Sequence, residues 1–430
     1  MWFHAREMKK TWHNKFVAST LQRLPRRDQY HSWLLVFLLF FLTSPYFFWD
    51  WYGNLLVTIL VSTVAMLIIW KHKEKVTGKK KAILTFYVCV WLLYLFNEFI
   101  KGARLGVVAY MPYVLLGFVP FINKDLGRYV FNKFVTVYAI LIGLSMVSWI
   151  LAMTGMISPI GELGVGNESL EAQNKSYLVY PLSLISIGGI GIYDFGRFGG
   201  FFDEPGVVGT LGGLMLCALR YNMRDWRSIV ILFSGLLSAS MFFYGLTAVY
   251  WILQLLLVKK KYGVMLLLVS GIMVSYQLTK DNAAVSYLVW DRFEWDSEKG
   301  GFAGNTREGE KTTMTLERMN ATGEIWFGVE DKEAYWDEMK GTASIYNVFA
   351  MYGIIFTALY ITWLIAFGYH YRINRWDFLL YCIMVLGCMY QRPNMFDLPF
   401  TFLFVSTARY TEFQLDSFVT RKEYKTRGRE

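Results

Sequence analysis

The segment Gly196–Gly206 reads Gly-Arg-Phe-Gly-Gly-Phe-Phe-Asp-Glu-Pro-Gly and sets one guanidinium group close to two adjacent carboxylates. Pro205 is typical of the first turn of a helix, and Asp203 and Glu204 would lie at the positive end of that helix dipole. The two acids are therefore either a helix cap or a functional pair. Because charges between apolar segments are unfavourable unless they are paired or used, this segment is the first candidate for chemistry.

The chain around this segment is strongly apolar. Of its 430 residues, 55% are hydrophobic and 18% are aromatic, and the apolar residues occur in long runs. Runs of roughly 18 residues match the thickness of a bilayer. The net charge of +10 comes from Lys and Arg residues that cluster between these runs, which indicates membrane topology rather than nucleic-acid binding. The composition predicts an all-α, polytopic membrane protein that does not bind nucleic acid.

Twelve apolar runs predict about 12 transmembrane helices, within a transmembrane domain that covers residues 33–411. Several runs are short, so that tilt or a paired neighbour is needed to cross the bilayer. The runs are Trp33–Trp49, Asn54–Trp70, Ala82–Ile100, Leu105–Ile122, Phe134–Met153, Pro205–Leu219, Ser228–Phe243, Gly245–Val258, Tyr262–Tyr276, Thr342–Phe367, Phe378–Tyr390 and Leu398–Tyr410.

Basic segments give the predicted orientation, because Lys and Arg are enriched in cytoplasmic loops. The N-terminal segment 1–32 and the tail 412–430 are basic, which predicts cytoplasmic termini. Segment 277–341 has 14 acids and 8 bases, a net charge of −6, and is predicted to be a large periplasmic loop. The four cysteines lie inside apolar runs and are expected to be packing residues rather than disulfides or metal ligands.

One further apolar run, Tyr177–Tyr193, lies between an acidic outer loop and the span Pro205–Leu219. The sides of the flanking loops allow only an odd number of crossings here. Because Pro181 and Gly188 are unfavourable in a continuous helix, we expect a partial, protein-covered or re-entrant segment. The segment Asp194–Glu204 would then face the outer side.

The run Arg197-x-x-Gly200-x-Phe202-x-Glu204-Pro205-Gly206 resembles the Arg…Gly-x-Phe-x-Glu-Pro-Asn pattern of the bacterial O-antigen polymerase and ligase superfamily. This chain has Gly206 where Asn is common. The segment Leu237-Ser238-Ala239-Ser240 is similar to the Ser-rich turn of that superfamily, without the Arg that often follows it.

Two further motifs agree with this resemblance in order and in predicted side. The end of the outer loop, Arg318…Trp326-Phe327-Gly328-Val329, resembles an Arg…Gly-x-Gly element of the superfamily. The segment Tyr346-Asn347…Tyr352-Gly353 leads into the next span, as it does in family members. The resemblance extends roughly from residue 177 to residue 353.

The resemblance implies a membrane glycosyltransferase of the GT-C-like type, an O-antigen polymerase of the bacterial inner membrane. It would transfer a growing glycan from undecaprenyl diphosphate to a new lipid-linked repeat unit at the periplasmic face. Its partners would be the undecaprenyl-diphosphate-linked oligosaccharide and membrane lipids. A chain-length regulator protein is a further candidate partner. The sequence has no Asp-x-Asp motif and no recognised metal-ligand spacing, which favours a metal-independent reaction without a cofactor.

Such a reaction needs cations for the diphosphate and a carboxylate for the acceptor hydroxyl. Arg is better suited than Lys because its planar fork binds phosphate oxygens in pairs. The catalytic candidates are Glu204, Asp203, Arg197 and Arg318. The substrate-binding candidates, which are predicted to face outward, are Arg292, Arg307, Lys101, Arg104, Arg392 and Tyr346.

Two other functions use a similar number of spans. A flippase or another transporter of lipid-linked oligosaccharide is disfavoured by the large outer loop and by the lack of matched halves in the sequence. An O-antigen ligase is disfavoured because such ligases have a His in the outer loop. None of the five His residues is predicted to face outward; they are His4, His13, His31, His72 and His370.

Overall fold

The computed structural model describes residues 25–52, 54–164, 176–187, 197–258, 260–282, 285–296, 301–302, 310–332, 334–335, 345–392 and 396–414. Most of these residues are helical. The helices are α1 Arg26–Leu42, α2 Trp49–Tyr52, α3 Leu55–Lys71, α4 Lys79–Ile100, α5 Arg104–Tyr110, α6 Lys124–Met153, α7 Pro205–Ala218, α8 Trp226–Leu237, α9 Met241–Leu253, α10 Tyr262–Thr279, α11 Glu310–Thr322, α12 Glu324–Phe327, α13 Ile345–Tyr371, α14 Arg375–Gln391, α15 Leu398–Ala408 and α16 Tyr410–Gln414.

Four of these helices, α4, α6, α10 and α13, are long and apolar enough to cross a membrane. Several other apolar helices have only 10–17 residues. The prediction of a helical membrane protein is therefore confirmed, while the number of about 12 spans stays a prediction. Helix α10 has no buried residue, so its apolar surface lies at the periphery of the bundle, where a bilayer would cover it.

Several predicted boundaries shift in the structure. The run Leu105–Ile122 is not one α-helix, since α5 continues as a 3-10 helix, Met111–Phe121. Pro112 and Pro120 lack the backbone N–H that an α-helix needs. The predicted spans Ser228–Phe243 and Gly245–Val258 are also divided at a different place. The break between the two helices lies at Ser238–Ser240, where Ala239 has φ 47°. Helix α1 begins at Arg26, inside the predicted N-terminal segment 1–32.

A small antiparallel sheet that was not predicted accompanies the helices. It consists of β1 Gly161–Gly164, β2 Ser176–Tyr180 and β3 Ser183–Ile187, in the order β1-β2-β3. Tyr, Val and Ile residues in this stretch favour strands. The predicted re-entrant segment is therefore a β-hairpin over its described residues, and residues 188–193 lie outside them. Two further short strands pair in the segment 277–341, β4 Trp295–Asp296 and β5 Gly301–Phe302.

Short polar side chains begin many of the helices. Their oxygen atoms accept backbone N–H groups of the first turn, which have no partner within the helix. The caps that act in this way are Asn54, Asn123, Asp225, Asn374 and Asp397. The start of α7 differs, because Glu204 occupies the N-cap position and its side chain makes no cap hydrogen bond. Glu204 therefore lies at the positive end of the helix dipole, as predicted, but does not satisfy a backbone N–H of the first turn.

Helix α6 connects two ends of the bundle. It has 30 residues and is about 45 Å long. Near its start, the Asn123 N–H donates to the His72 carbonyl at 2.8 Å. Beyond its end, the Ile160 N–H donates to the Val179 carbonyl of the sheet at 2.8 Å. The basic segment around His72 and the β-sheet are thus next to opposite ends of one long apolar helix.

A cysteine-labelling experiment checks whether these two ends face opposite sides of a membrane. Met156 is 72% exposed just beyond the end of α6, and Lys124 is exposed at its start. In a background with the four native cysteines replaced by Ala, Met156→Cys should react with an impermeant thiol reagent in intact spheroplasts. Lys124→Cys should react only after the membrane is opened, and equal labelling of both in intact spheroplasts would contradict the predicted orientation.

Candidate functional site

The segment 197–204 has an irregular backbone that is hydrogen-bonded to three separate elements. Its partners are the end of α8, strand β3 and the 3-10 helix Tyr46–Phe48. Its phenylalanine side chains are fully buried in the core. The hydrogen bonds run from the Phe198 N–H to the Leu237 carbonyl (3.1 Å), from the Leu184 N–H to the Gly200 carbonyl (2.7 Å) and from the Tyr46 N–H to the Phe201 carbonyl (2.9 Å).

Arg197 connects this segment to the Ser-rich turn between α8 and α9. Its Nε donates to the Ser238 carbonyl at 3.2 Å, and its Nη2 donates to the Ala239 carbonyl at 3.3 Å. These carbonyls follow the last residue of α8, where the helix leaves acceptors without intrahelical partners. Two motifs that are far apart in the sequence therefore form one structural unit, and Arg197 holds them together.

Glu204 is paired with Arg392, the residue that follows α14. The Nη2 of Arg392 donates to the Glu204 Oε2. The Glu204 side chain is 40% exposed, whereas that of Arg392 is 15% exposed, so that the carboxylate forms the accessible part of the pair. Both residues were among the candidates from the sequence, and the structure brings them together across 188 positions of the chain.

Gly206 lies next to this arginine. A Cβ atom at position 206 would lie 2.6 Å from the Arg392 Nη2, so that the flexible guanidinium group would have to shift to accommodate a larger residue. The Nε of Arg392 is buried and has no hydrogen-bond partner, which leaves one donor of the guanidinium group unsatisfied.

Two carboxyl groups near Arg392 have unusually high pKa values. Asp203 is half-buried. Burial of its carboxyl group raises the pKa of Asp203 to about 6, and the charge of Glu204 adds to this effect. Burial raises the pKa of Asp397 to about 7, although the carboxylate accepts the Phe400 N–H at 3.1 Å. Groups with such pKa values can accept and release a proton near neutral pH.

Asp397 was missed in the sequence analysis. The available signal was the pattern Asp397-Leu398-Pro399, which places an acid at the start of a helix with Pro in its first turn, much as Asp203-Glu204-Pro205 does. Asp397 lies five positions after Arg392, and both groups act electrostatically on the Cys388 thiol. They therefore belong to the same region of the bundle.

A second charged cluster lies at the end of α4. The Nζ of Lys332 is 2.5 Å from the Glu98 Oε2, and the Glu98 side chain is only 1% exposed. The other oxygen of Glu98 is buried without a hydrogen-bond partner. Lys332 also lies near the rings of Tyr94 and Tyr352, at 5.5 and 5.9 Å from their centroids. The signal for this pair in the sequence was the acid within a predicted span.

Lys101 anchors the end of the large loop to α4. Its Nζ donates to the carbonyls of Phe327 and Gly328 at 2.6 and 2.7 Å. Burial lowers the pKa of the Lys101 ammonium group, and the charge of Lys332 acts in the same direction. The contacts of Lys101 in the structure are with the loop backbone. Its role in substrate binding stays a prediction.

The same loop segment packs closely against a break in α13. Gly353 has φ 80° inside this helix, and a Cβ there would lie 2.4 Å from the Trp326 carbonyl oxygen. Gly328 has φ 87°, and its Cβ would lie 2.8 Å from the Ala350 carbonyl oxygen. The Val329 N–H donates to the Ala350 carbonyl at 2.7 Å. The two outer motifs of the sequence resemblance thus contact each other through their backbones.

Phe396 connects the two charged clusters. It follows the Arg392 region in the chain and packs its ring among the aromatic residues beside Glu98. Its ring centroid lies 4.8 Å from that of Trp91, 5.9 Å from Tyr94, 5.3 Å from Tyr352 and 4.9 Å from Tyr360. The connection between α14 and α15 is therefore packed at Phe396 and capped at Asp397.

The other predicted site residues lie further along the loop or outside the described side chains. Arg318 is exposed on α11. Tyr346 is half-buried at the start of α13, with its ring 6.2 Å from that of Phe349. Arg104 and Arg292 lie on α5 and on the 3-10 helix Asp291–Phe293, but their side chains are outside the described part, as is the whole of Arg307.

No protein-family model, curated protein or solved structure matches the chain.

The raised pKa of Asp397 predicts a specific pH dependence of stability. The folded state holds this proton up to about pH 7, whereas an unfolded Asp loses it near pH 3.9. Between these values the folded state binds more protons, so that its stability falls as the pH rises. Asp397→Asn should therefore unfold at a higher temperature than the wild type at pH 8, by roughly 2 °C or more, and this difference should be smaller at pH 5 and vanish only below the pKa of the unfolded Asp.

The measurement is thermal unfolding of the purified protein in detergent at both pH values. Asp225, which caps α8 and is paired with Arg227, provides a matched control. Asp225→Asn should lower the unfolding temperature at both pH values. An Asp397→Asn variant that is less stable than the wild type at pH 8 would contradict the raised pKa.

The Glu98–Lys332 pair predicts a strong effect of removing one partner. Lys332→Ala leaves the Glu98 carboxylate buried without its cation, and breaking such a pair costs about 3–5 kcal/mol. The double variant with Glu98→Gln should recover much of that loss, because the uncompensated charge is gone. Thermal unfolding measures all three proteins, with the exposed Lys75 replaced by Ala as a control. Equal unfolding temperatures for Lys332→Ala and the control would show that the pair does not stabilise the fold.

Proposed function

We propose that this chain is a polysaccharide polymerase of the O-antigen type. It transfers a growing glycan from undecaprenyl diphosphate to a new lipid-linked repeat unit at the outer face of a bacterial inner membrane. The observation that carries the proposal is the ion pair of Glu204 with Arg392. Glu204 lies in the segment whose sequence resembles the superfamily, and its side chain makes no cap hydrogen bond.

The arrangement of the motifs supports the same proposal. Arg197 joins the Glu204 segment to the Ser-rich turn. The third and fourth resembling motifs meet where Gly328 packs against Ala350 and Gly353. Because a chance resemblance gives no reason for distant motifs to touch in pairs, these contacts favour a common functional origin.

The chemistry assigns a role to each group. The acceptor hydroxyl oxygen attacks the anomeric carbon of the growing glycan, and the bond from that carbon to the diphosphate oxygen breaks. The undecaprenyl diphosphate leaves with the bonding electrons, and the hydroxyl proton goes to a carboxylate, for which Glu204 is the candidate. The Arg392 guanidinium stabilises the negative charge that develops on the leaving diphosphate.

Arg197 has a different role in this scheme from that of a diphosphate ligand. Its guanidinium group donates to two backbone carbonyls, so we assign it as a positioning residue that holds the segment 197–204. Asp203, with a pKa of about 6, lies next to Glu204 and is well suited to take up the proton afterwards. Arg318, exposed on α11, stays a candidate for contact with the lipid-linked substrate.

A gene deletion in the bacterial host tests the function. The cell-surface polysaccharide is separated on a gel, where a polymer of repeat units gives a ladder. Loss of a polymerase leaves lipid A core with one repeat unit, whereas loss of a flippase or a ligase leaves the core alone. Core without any repeat unit in the deletion strain would exclude the polymerase and favour one of these two alternatives.

Substitutions at the ion pair test the proposed site. Glu204→Gln keeps the size of the side chain but removes its charge, and we expect polymerisation to fall by on the order of a hundredfold or more, to core plus one repeat. Arg392→Gln should have the same effect, because it removes the cation from the diphosphate. Asp203→Asn should keep a shortened ladder. Complementation of the deletion strain measures all three variants at matched protein levels.

A structural anchor would behave differently from a reacting group. If Glu204 and Arg392 served only to stabilise the fold, Glu204→Gln and Arg392→Gln would reduce the amount of protein in the membrane, and the remaining protein would still make full ladders. Full ladders from Glu204→Gln at normal protein level would contradict its catalytic role. Arg197→Lys tests positioning, since Lys keeps the charge but lacks the planar fork that reaches both carbonyls.

A further inference from the structure

Two histidines and an aspartate come together beside the start of α6. Asp28 and His31 lie about one turn apart on α1, so that their side chains share one face of the helix. His72 follows the last residue of α3. The Nδ1 of His31 and the Nε2 of His72 are 2.8 Å apart, and one ligand atom from each of the three residues lies within 4.8 Å of the others.

We propose that Asp28, His31 and His72 bind a divalent transition-metal ion, with Zn²⁺ as the favoured ion. Zinc takes imidazole nitrogen and carboxylate oxygen at about 2.0–2.2 Å in a tetrahedral arrangement. Ligand atoms around such an ion are roughly 3.3 Å apart, so that the two nitrogens need to separate by only about half an ångström. A water molecule completes the four ligands.

Charges of both signs surround the site. Lys71 and Arg27 lie near His72, and the Asp28 carboxylate carries the opposite charge. Lys71 and Arg27 also repel a dication, and the negative charge of Asp28 offsets part of this repulsion. The side chains of His72 and Asp28 are 17% and 31% exposed, so that an ion can reach them from solvent.

The competing explanation is a hydrogen bond between the two imidazoles. One ring nitrogen would then carry the proton and the other would accept it, at the same separation of 2.8 Å. Only the metal requires Asp28 as a third ligand. The ring planes cross at 63° with centroids 4.9 Å apart, which excludes face-to-face stacking of the two imidazoles.

The sequence predicts no metal ligands, because the spacing of these three residues matches no recognised metal motif. Asp28-x-x-His31 supplies two ligands from one helix, but the third comes from a residue 41 positions later. It becomes visible only when α1 and α3 pack side by side. A bound ion would fix the start of α1 to the end of α3.

Metal binding by the full-length protein tests the proposal without reference to catalysis. The protein is purified in detergent on a tag that contains no histidine, treated with a chelator, and titrated with Zn²⁺ by calorimetry. We expect one Zn²⁺ per chain and a rise in unfolding temperature with added Zn²⁺. Co²⁺ in place of Zn²⁺ should give the intense visible absorption of a four-coordinate site.

Variants of the ligands distinguish the metal from the hydrogen bond. His31→Gln, His72→Gln and Asp28→Asn should each weaken Zn²⁺ binding by at least roughly tenfold. His370→Gln, at the C-terminal end of α13, is the matched control and should bind as the wild type does. The proposal is overturned if the wild type shows no saturable binding, or if it binds Zn²⁺ no more tightly than the His31→Gln/His72→Gln double variant. Loss in both histidine variants but not in Asp28→Asn would also overturn the three-ligand site.

Discussion

The segment 197–204 depends on hydrogen bonds that an irregular backbone cannot make by itself. A helix satisfies its own peptide groups, but this segment precedes α7 and is not helical. In an apolar environment, each unpaired peptide group is unfavourable by several kcal/mol. The partners come from α8, β3 and the 3-10 helix Tyr46–Phe48. Since these elements come from separate parts of the chain, the conformation of the candidate site exists only when the bundle around it has formed.

The apolar character of the chain and most of the helices could be predicted from sequence, because long apolar runs have one dominant solution in a bilayer. The interruptions were harder to predict. The β-hairpin at residues 176–187 has the same apolar composition as a short helix, and only its partner strand β1 distinguishes the two. Likewise, Leu105–Ile122 was apolar enough for a span, and its two prolines divide it between α5 and a 3-10 helix.

The candidate site could be predicted in part. Arg197, Glu204 and Arg392 were found because each charge stands out beside apolar sequence. The pairing of Arg392 with Glu204 could not be predicted, because the two residues are 188 positions apart and pairing over such a distance leaves no local sequence pattern. Asp397 and Lys332 were missed for a related reason. Asp397 looks like an ordinary helix cap and Lys332 like one of several loop lysines. Only the burial of Asp397 and the pairing of Lys332 with Glu98 give these residues their chemical character.

The contact between Gly328 and Gly353 packs the end of the large loop directly against the backbone of α13. A Cβ atom at either glycine would lie within 3 Å of a carbonyl oxygen of the other segment, so that a single added methyl group would force the backbones apart. The loop end around Phe327 is also held by two residues of the α4 region. They are Lys101 and Asn97, and the side chain of Asn97 donates to the Phe327 carbonyl at 3.0 Å. A change of one methyl group here would therefore disturb the contacts of the loop with α4 as well as those with the broken helix α13.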